Sequence, residues 1–196
     1  MDWREYSHCV KADAFRISGS YSFLSVAKLL LLGESYKYIF WFRTAALFRS
    51  KFILKVTFFP LCYLVLRHYK YRFGISIPLS TKIGVGFYVG HFGGIVINGA
   101  CKIGDNFNIS QGVTLGSISF GDKKGCPTIG NDVYIGPGAK VIGSAAIGDG
   151  VAIGANAVVT GDVVSGATVA GVPARILSMK GSKGYVNRTN YPPQKK

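Results

Sequence analysis

His91 is the residue of this chain best suited to acid–base chemistry. It stands in the run Gly90-His91-Phe92-Gly93-Gly94 and is the only histidine between residues 76 and 171. A neutral imidazole titrates near pH 7 and can take the proton of an alcohol, so the sequence predicts a general base at this position. The alternative is a histidine that only forms a hydrogen bond at a turn.

The four cysteines show no metal-binding or redox pattern. Cys9, Cys62, Cys101 and Cys126 form no Cys-x-x-Cys pair, and no two histidines stand four residues apart. The sequence therefore predicts neither a zinc site nor a thioredoxin-type motif. Scattered reduced thiols favour a cytoplasmic protein, and an N-terminus with early acidic residues does not resemble a secretory signal.

The net charge of +14 is concentrated at the two ends of the chain. Residues 1–75 carry 12 basic and 4 acidic side chains, residues 76–171 carry 5 of each, and residues 172–196 carry 6 basic and no acidic ones. A neutral centre between basic ends does not predict nucleic-acid binding. We therefore expect a basic, aromatic-rich helical segment (1–75), a central domain (76–171) and a basic tail (172–196).

The central domain repeats an aliphatic residue every six positions. The repeat occurs in three registers: Ile77, Ile83, Val89 and Ile95; Ile97, Ile103, Ile109 and Leu115; and Ile129, Ile135, Val141, Ile147, Ile153 and Val159. A period of six fits neither a helix nor simple strand alternation, and it predicts short strands joined at sharp corners, three to a coil. The fold class is therefore a parallel β-helix of about five coils. Residues 116–128 leave the repeat and predict a projecting loop, which is either functional or a tolerated insertion.

The N-terminal segment has a different composition. Apolar clusters at 23–32, 38–48 and 52–66 predict two or three short helices. Aromatic residues alternate there with lysines and arginines, which is typical of a helix on an anionic membrane surface. A helical cap on the first coil or on a sister subunit explains the composition equally well. The longest apolar run contains Lys55 and Pro60 and is too short to predict a membrane span.

Four motifs together resemble the hexapeptide-repeat acyltransferases, and among them the serine acetyltransferase-like group. They are Gly90-His91-Phe92-Gly93-Gly94-Ile95-Val96-Ile97-Asn98, Ile109-Ser110-Gln111-Gly112-Val113-Thr114-Leu115-Gly116, Cys126-Pro127-Thr128-Ile129-Gly130 and Val169-Ala170-Gly171-Val172-Pro173-Ala174-Arg175-Ile176. The resemblance covers about residues 75–178. It implies a left-handed β-helix, a homotrimer, acetyl-CoA as the acetyl donor without a metal, and His91 as the general base.

The resemblance also implies roles for other residues. The oxyanion of the transition state would meet backbone N–H groups at Gly116 and Ser117. The pantetheine arm of acetyl-CoA would lie along small residues, and its phosphates would meet cations after the last coil. These donor-binding positions are Gly136, Gly138, Ala155, Ala157, Arg175, Lys180 and Lys183. Each small residue fits ordinary corner geometry equally well.

The acceptor positions depart from the serine acetyltransferase pattern. That group has charged residues at the positions of Ser76, Gly90 and Gly125-Cys126, which are uncharged here. A zwitterionic amino acid needs charged partners, so Ser76, Gly90 and Cys126 predict a different acceptor. The chain more closely resembles the acetyltransferases of colanic-acid and capsule clusters. That resemblance implies O-acetylation of a sugar hydroxyl in a surface polysaccharide precursor, free, nucleotide-linked or lipid-linked.

Two other functions remain open from the sequence. One is serine O-acetyltransferase activity in cysteine biosynthesis, and the other is a non-catalytic β-helix that acts as a membrane-associated scaffold. The expected location is the cytoplasm, with the alternative that the N-terminal segment contacts anionic lipid at the inner face of the membrane. Replacement of His91 would separate the scaffold from both enzymes, because only the enzymes need its imidazole.

Overall fold

The computed structural model describes residues 1–194 and has five helices before a parallel β-helix. The helices are α1 (Trp3–Ser18), α2 (Phe23–Leu32), α3 (Glu34–Ser50), α4 (Phe52–Thr57) and α5 (Phe59–Phe73). The strands are β1 (Ile75–Ser76), β2 (Lys82–Ile83), β3 (Tyr88–Val89), β4 (Ile95–Ile97), β5 (Lys102–Ile103), β6 (Asn108–Ile109), β7 (Thr114–Gly116), β8 (Thr128–Ile129), β9 (Tyr134–Ile135), β10 (Lys140–Ile142), β11 (Ala146–Ile147), β12 (Ala152–Ile153), β13 (Val158–Val159), β14 (Thr168–Ala170) and β15 (Arg175–Ser178). Residues 195 and 196 of the predicted basic tail lie outside the described residues.

The strands form three sheets, which are the three faces of the β-helix. Face A contains β1, β4, β7, β10 and β13, face B contains β2, β5, β8 and β11, and face C contains β3, β6, β9, β12, β14 and β15. Strands of successive coils pair in parallel, whereas β15 pairs with β14 in antiparallel fashion. Val141 pairs with Val159, eighteen residues further on, so three hexads close one coil. The predicted parallel β-helix is confirmed.

The repeated aliphatic residues fill the interior of the coils. Ile95, Ile97, Ile109, Leu115, Ile135, Val141 and Ile153 are all at most 2% exposed. The corners between faces are closely stacked on one another. A Cβ on Gly104 would come within 2.5 Å of the Asn131 Oδ1 in the next coil, so this corner has no room for a side chain.

The slip of the repeat between Ile95 and Ile97 has a structural cause. The corner from face C to face A runs from Val89 to Ile95 in the first coil, but only from Ile109 to Val113 in the second. The first corner is therefore two residues longer. It is the one corner of this edge with two additional residues, and it contains the predicted base.

The N-terminal segment contains five helices, and the prediction of two or three was wrong. One extra helix arises because the apolar cluster at 52–66 forms two helices, α4 and α5. The other is α1, whose apolar residues are spaced along the sequence and form no run. Its start is marked by a capping box, in which Asp2 and Glu5 each bond the backbone N–H of the other. This Asp-x-x-Glu pattern is the sequence signal that identifies α1.

A buried ion pair fastens the N-terminal helices to the first coil. Asp13 of α1 is 0% exposed and accepts hydrogen bonds from Arg43 Nε at 2.9 Å and from the Phe87 N–H at 2.7 Å. Arg43 also donates to the carbonyl oxygens of Ile83 at 2.7 Å and Gly84 at 2.6 Å. The pair therefore joins α1, α3 and the corner between β2 and β3.

The aromatic residues of α3 belong to the core. Tyr36, Tyr38 and Phe42 are between 1% and 3% exposed, and Tyr38 and Phe42 join the same apolar cluster as the first coil. These rings cannot reach a membrane surface, so the cap explanation applies to α3. Within the described residues no single helix is both long and apolar enough to cross a membrane, although α1 and α2, bent by 66°, reach the required length and composition together.

After β15 the chain returns along face C towards α1. Ser182 Oγ donates to the Asp132 carbonyl oxygen at 2.5 Å, and the Tyr185 ring stacks on that of Tyr134 with centroids 4.4 Å apart. Farther on, Arg16 Nε of α1 donates to the Asn187 carbonyl oxygen at 2.6 Å. The basic tail is thus packed on both the β-helix and the N-terminal helices.

Candidate active site

His91 lies at the long corner between faces C and A of the first coil, and its side chain is exposed. The turn after it uses Gly93 and Gly94, whose φ angles are 111° and 65° and favour glycine. The Gly112 N–H donates to the Gly93 carbonyl oxygen at 2.7 Å, which ties this turn to the coil beneath it. The imidazole is therefore presented to solvent from a fixed backbone, as a general base requires.

The end of α5 supports the His91 corner from the side. The ring centroid of Phe92 lies 4.8 Å from that of Phe73, the last residue of α5. The next residue, Gly74, has a φ of 59° and accepts a hydrogen bond from the Ile95 N–H at 3.0 Å. Sequence reasoning missed this support, because nothing in the sequence relates the end of a helix to a corner eighteen residues later.

Corners of later coils stack beneath His91 along the same edge. The Gly138 N–H donates to the Gln111 carbonyl oxygen at 2.9 Å, and the Asn156 N–H donates to the Pro137 carbonyl oxygen at 2.8 Å. The structure therefore brings three of the predicted donor-binding residues onto the edge that carries the predicted base. These are Gly136, Gly138 and Ala155.

One predicted donor-binding residue faces the interior instead. Ala157 is 0% exposed, so its methyl group packs inside the coil and cannot contact a ligand on the outer wall. Ala155 is exposed at the corner. Gly136 is buried, and a Cβ there would lie 2.9 Å from the Ile153 carbonyl oxygen, so its lack of a side chain serves coil stacking.

Arg175 lines a cavity of about 320 Å³ beside the last coil. Lys123 of the projecting loop and Asp162 line the same cavity, so a second cation and a carboxylate share it with Arg175. Guanidinium and ammonium groups of this kind suit phosphate oxygens. Lys180 and Lys183 are exposed beyond β15 and do not line this cavity. Sequence reasoning missed Lys123, because its neighbour Arg175 lies more than fifty residues away in the chain.

The predicted oxyanion donors lie at the other edge of face A. Ser117 follows β7, and its Oγ accepts a hydrogen bond from Asn98 Nδ2 at 3.1 Å, at the far end of β4 from His91. Four residues of extended chain at about 3.3 Å each separate Gly94 from Asn98, or about 13 Å. Among the described residues the backbone N–H of Ser117 meets no acceptor. Within one chain the structure does not bring Ser117 and Gly116 to His91.

The three predicted acceptor-binding residues lie in different places. Gly90 adjoins His91 and donates its N–H to the Ile109 carbonyl oxygen at 3.0 Å. Ser76 of β1 lines a cavity beneath α5 in which His91 takes no part. Cys126 ends the projecting loop and packs half-buried against the core. These residues do not form one acceptor pocket in a single chain.

Comparisons with known proteins agree with the repeat. Residues 126–161 match a family model described as bacterial transferase hexapeptide (six repeats). A serine acetyltransferase of Bacillus subtilis (strain 168) is 40% identical over 131 residues, which are 67% of this chain and 60% of that protein. The chain thus spans less than two thirds of the length of this relative.

Solved structures give the same likeness. The serine acetyltransferase of Brucella abortus strain S19 in complex with coenzyme A superposes with a TM-score of 0.72 at 29% identity, covering 90% of this chain and 69% of that one. A truncated serine acetyltransferase without ligand superposes with a TM-score of 0.67 at 31% identity, covering 87% of this chain and 69% of that one.

These matches correct the predicted acceptor. The relatives and structural neighbours are serine acetyltransferases, with 40% identity in the Bacillus subtilis protein. The prediction of a sugar hydroxyl in a polysaccharide precursor was therefore wrong, and the predicted closeness to colanic-acid and capsular acetyltransferases finds no support. The uncharged residues at Ser76, Gly90 and Cys126 were given too much weight, because they lie in different places and form no common acceptor pocket in one chain.

Proposed function

We propose that this chain, a member of the hexapeptide-repeat transferases, moves the acetyl group of acetyl-CoA to the hydroxyl group of serine. The observation that carries the proposal is the exposed His91 at the one lengthened corner along its edge of the β-helix, in a chain that is 40% identical over 131 residues to a serine acetyltransferase. The same family membership supports a left-handed coil.

His91 acts as the general base. Its neutral imidazole accepts the proton of the serine hydroxyl while the hydroxyl oxygen attacks the thioester carbonyl carbon. A new C–O bond forms, and the tetrahedral intermediate then collapses with cleavage of the C–S bond. The imidazolium returns the proton to the leaving sulfur, so the products are an O-acetyl ester and the free thiol of CoA. No covalent acyl-enzyme is needed.

The reactive groups are completed by a second copy of the chain. His91 and Ser117 lie at opposite edges of face A, about 13 Å apart along the strand, so one acetyl group cannot meet both in a single chain. A homotrimer with neighbouring β-helices side by side brings the His91 edge of one chain to the Ser117 edge of the next. The unpaired Ser117 N–H can then donate to the oxyanion.

Acetyl-CoA lies along the edge beneath His91. The exposed Ala155 leaves room there for the pantetheine arm, and Arg175 can hold a phosphate at the last coil. The arm spans the coils between His91 and Arg175, with the thioester end beside the imidazole.

The proposal is tested by following release of the CoA thiol from acetyl-CoA with and without serine. We expect thiol release that depends on serine, the appearance of O-acetylserine by mass spectrometry, and a fall in kcat of about 10²–10⁴ in His91→Asn. Thiol release that is independent of serine would contradict the acceptor. Unchanged activity in His91→Asn would contradict the role of the base, and no transfer by the wild type would favour the scaffold.

A subunit-mixing experiment tests the shared site. Ser117→Pro removes the N–H donor and His91→Asn removes the base, so each variant alone should lose at least about 99% of its activity. Mixed trimers contain some interfaces at which both groups are intact, and we expect part of the activity to return. A mixture that stays inactive, with mixed assemblies shown by native mass spectrometry, would contradict a site between subunits.

A further inference from the structure

Helices α4 and α5 have an apolar surface that the rest of the chain leaves uncovered. No residue of α4 is buried. Phe52, Ile53 and Val56 of α4 are 83%, 73% and 67% exposed, and Leu61 and Leu64 of α5 are 65% and 59% exposed. We call these five residues the α4–α5 surface. Large apolar side chains clustered in this way mark an interaction surface, whereas single exposed ones are common.

The charges that α4, α5 and the residue before them carry are all of one sign. The sequence has no Asp or Glu between residues 35 and 104. The two helices and the residue before them carry five cations, namely Lys51, Lys55, Arg67, Lys70 and Arg72. Whatever covers this surface must therefore offer both apolar area and negative charge.

A cationic cavity adjoins the surface. It has a volume of about 440 Å³ and lies between α3, α5 and the first coil, where Arg49, Arg67 and Lys70 line it together with Tyr63 and Tyr71. Within residues 1–194 none of these three cations forms an ion pair, and Arg67 lies over the ring of Tyr71 at 5.7 Å. Three free cations around one hollow suit a phosphate group.

The apolar and cationic parts follow one another along the same helix. Leu61 and Leu64 are in the first half of α5, and Arg67 and Lys70 are in the second half. Leu64 and Arg67 are three residues apart and share one face of the helix, whereas Leu61 and Lys70, nine residues apart, lie on opposite sides of it. This order matches the change from acyl chains to phosphate headgroups across a membrane interface.

We propose that the α4–α5 surface docks on an anionic phospholipid membrane, with the apolar side chains in the interfacial layer and a headgroup phosphate in the cavity. A second copy of this chain fits the surface less well. A two-fold contact would bring the five cations against their own copies, and the carboxylate of Asp2 lies close to Lys51 alone. A lipid surface supplies both the apolar chains and the negative charge.

Sedimentation of the full chain with lipid vesicles tests the proposal. We expect binding to vesicles of equal parts phosphatidylcholine and phosphatidylglycerol, and little binding to phosphatidylcholine alone. Each cation removed should weaken binding about fivefold, so Arg67→Gln with Lys70→Gln should weaken it about 25-fold. Phe52→Ser with Ile53→Ser should abolish binding, because apolar insertion is lost.

Matched variants control for charge and apolar area. Lys82→Gln with Lys102→Gln removes two exposed cations from face B, and Phe23→Ser with Leu24→Ser removes two side chains of α2 that are 76% and 78% exposed. Both controls should bind vesicles as the wild type does. The variants of α4 and α5 should keep acetyl transfer, because their residues lie outside the His91 edge.

Three results would overturn the proposal. The first is equal binding to vesicles with and without phosphatidylglycerol. The second is weakening by the control pairs as large as that by the test pairs. The third is no binding of the wild type to vesicles that contain phosphatidylglycerol. A smaller assembly of Phe52→Ser, Ile53→Ser in sedimentation velocity would then assign the α4–α5 surface to a second copy.

Discussion

The ring of Phe73, the last residue of α5, lies 4.8 Å from the ring of Phe92, the residue next to the predicted base His91. The two rings are tilted by 49°, and Phe73 is only 4% exposed. The N-terminal helices thus touch the candidate active site directly. They hold the backbone that carries the imidazole, although they contribute no reactive group of their own.

Phe92→Ala should therefore lower kcat more than it changes the KM for acetyl-CoA. Loss of the ring frees the His91 corner, and a misplacement of about 1 Å can cost about 10²-fold in rate. Steady-state kinetics of thiol release measure the split between kcat and KM. Phe92→Tyr keeps the ring contact and should restore the rate. An equal fall in kcat in Phe92→Ala and Phe92→Tyr would contradict a positioning role of the Phe92 ring.

Asp13→Asn should destabilise the whole chain. The substitution leaves the buried Arg43 guanidinium without its carboxylate, and breaking such a pair costs about 3–5 kcal/mol. Urea unfolding followed by circular dichroism measures the free energy of unfolding. Glu34→Gln removes an acidic side chain outside this pair and should change that free energy little. A loss of the same size in Glu34→Gln would contradict the assignment.

Gly104→Ala should destabilise the β-helix, whereas Gly161→Ala should not. The new methyl at 104 would press on Asn131 and Gly130 of the next coil at 2.5–2.7 Å, and forced overpacking costs about 1–3 kcal/mol. Gly161 has no atom within 4 Å of its Cβ position. Thermal unfolding of both variants makes the comparison. A lower melting temperature for Gly161→Ala alone would contradict close stacking at the corners.

Thiol labelling should distinguish Cys126 from the buried cysteines. Burial raises the pKa of the Cys101 thiol to about 12 and that of Cys9 to about 11, so little thiolate forms at either residue near pH 8. Iodoacetamide at that pH should modify Cys126 first in mass spectrometry, and the buried thiols should react only after unfolding. Cys126→Ser should keep acetyl transfer, because no acyl-cysteine is required. Rapid labelling of Cys101 in the folded chain would contradict the burial of its thiol.

The β-helix could be predicted because its period is local. Each hexad has the same pattern, an aliphatic residue inside and a glycine or Asn at the corner, and the aliphatic residue recurs at fourteen positions. Ile109 and Ile135 then pair because they occupy equivalent positions in neighbouring coils. The sequence of the N-terminal helices has no such repeated pattern. Their contacts, such as Asp13 with Arg43, join residues whose relation no local pattern expresses.

Part of the candidate site could be predicted because a residue that departs from a local repeat is visible in the sequence. His91 stood out because it is the one histidine in a repeat of glycine and aliphatic residues. The two-residue slip beside it was visible in the sequence, but its meaning as a lengthened corner depends on which face each strand joins. The wrong acceptor came from judging three isolated positions, which the fold holds in three separate places.

The return of the tail to α1 has a consequence for how the chain is made. Arg16 of α1 bonds Asn187, and Asn108 of β6 donates to the Tyr185 carbonyl oxygen at 2.9 Å. A ribosome delivers Asn187 171 residues after Arg16. The coils can therefore stack during translation, but α1 gains this partner only after the strands of the β-helix have been made.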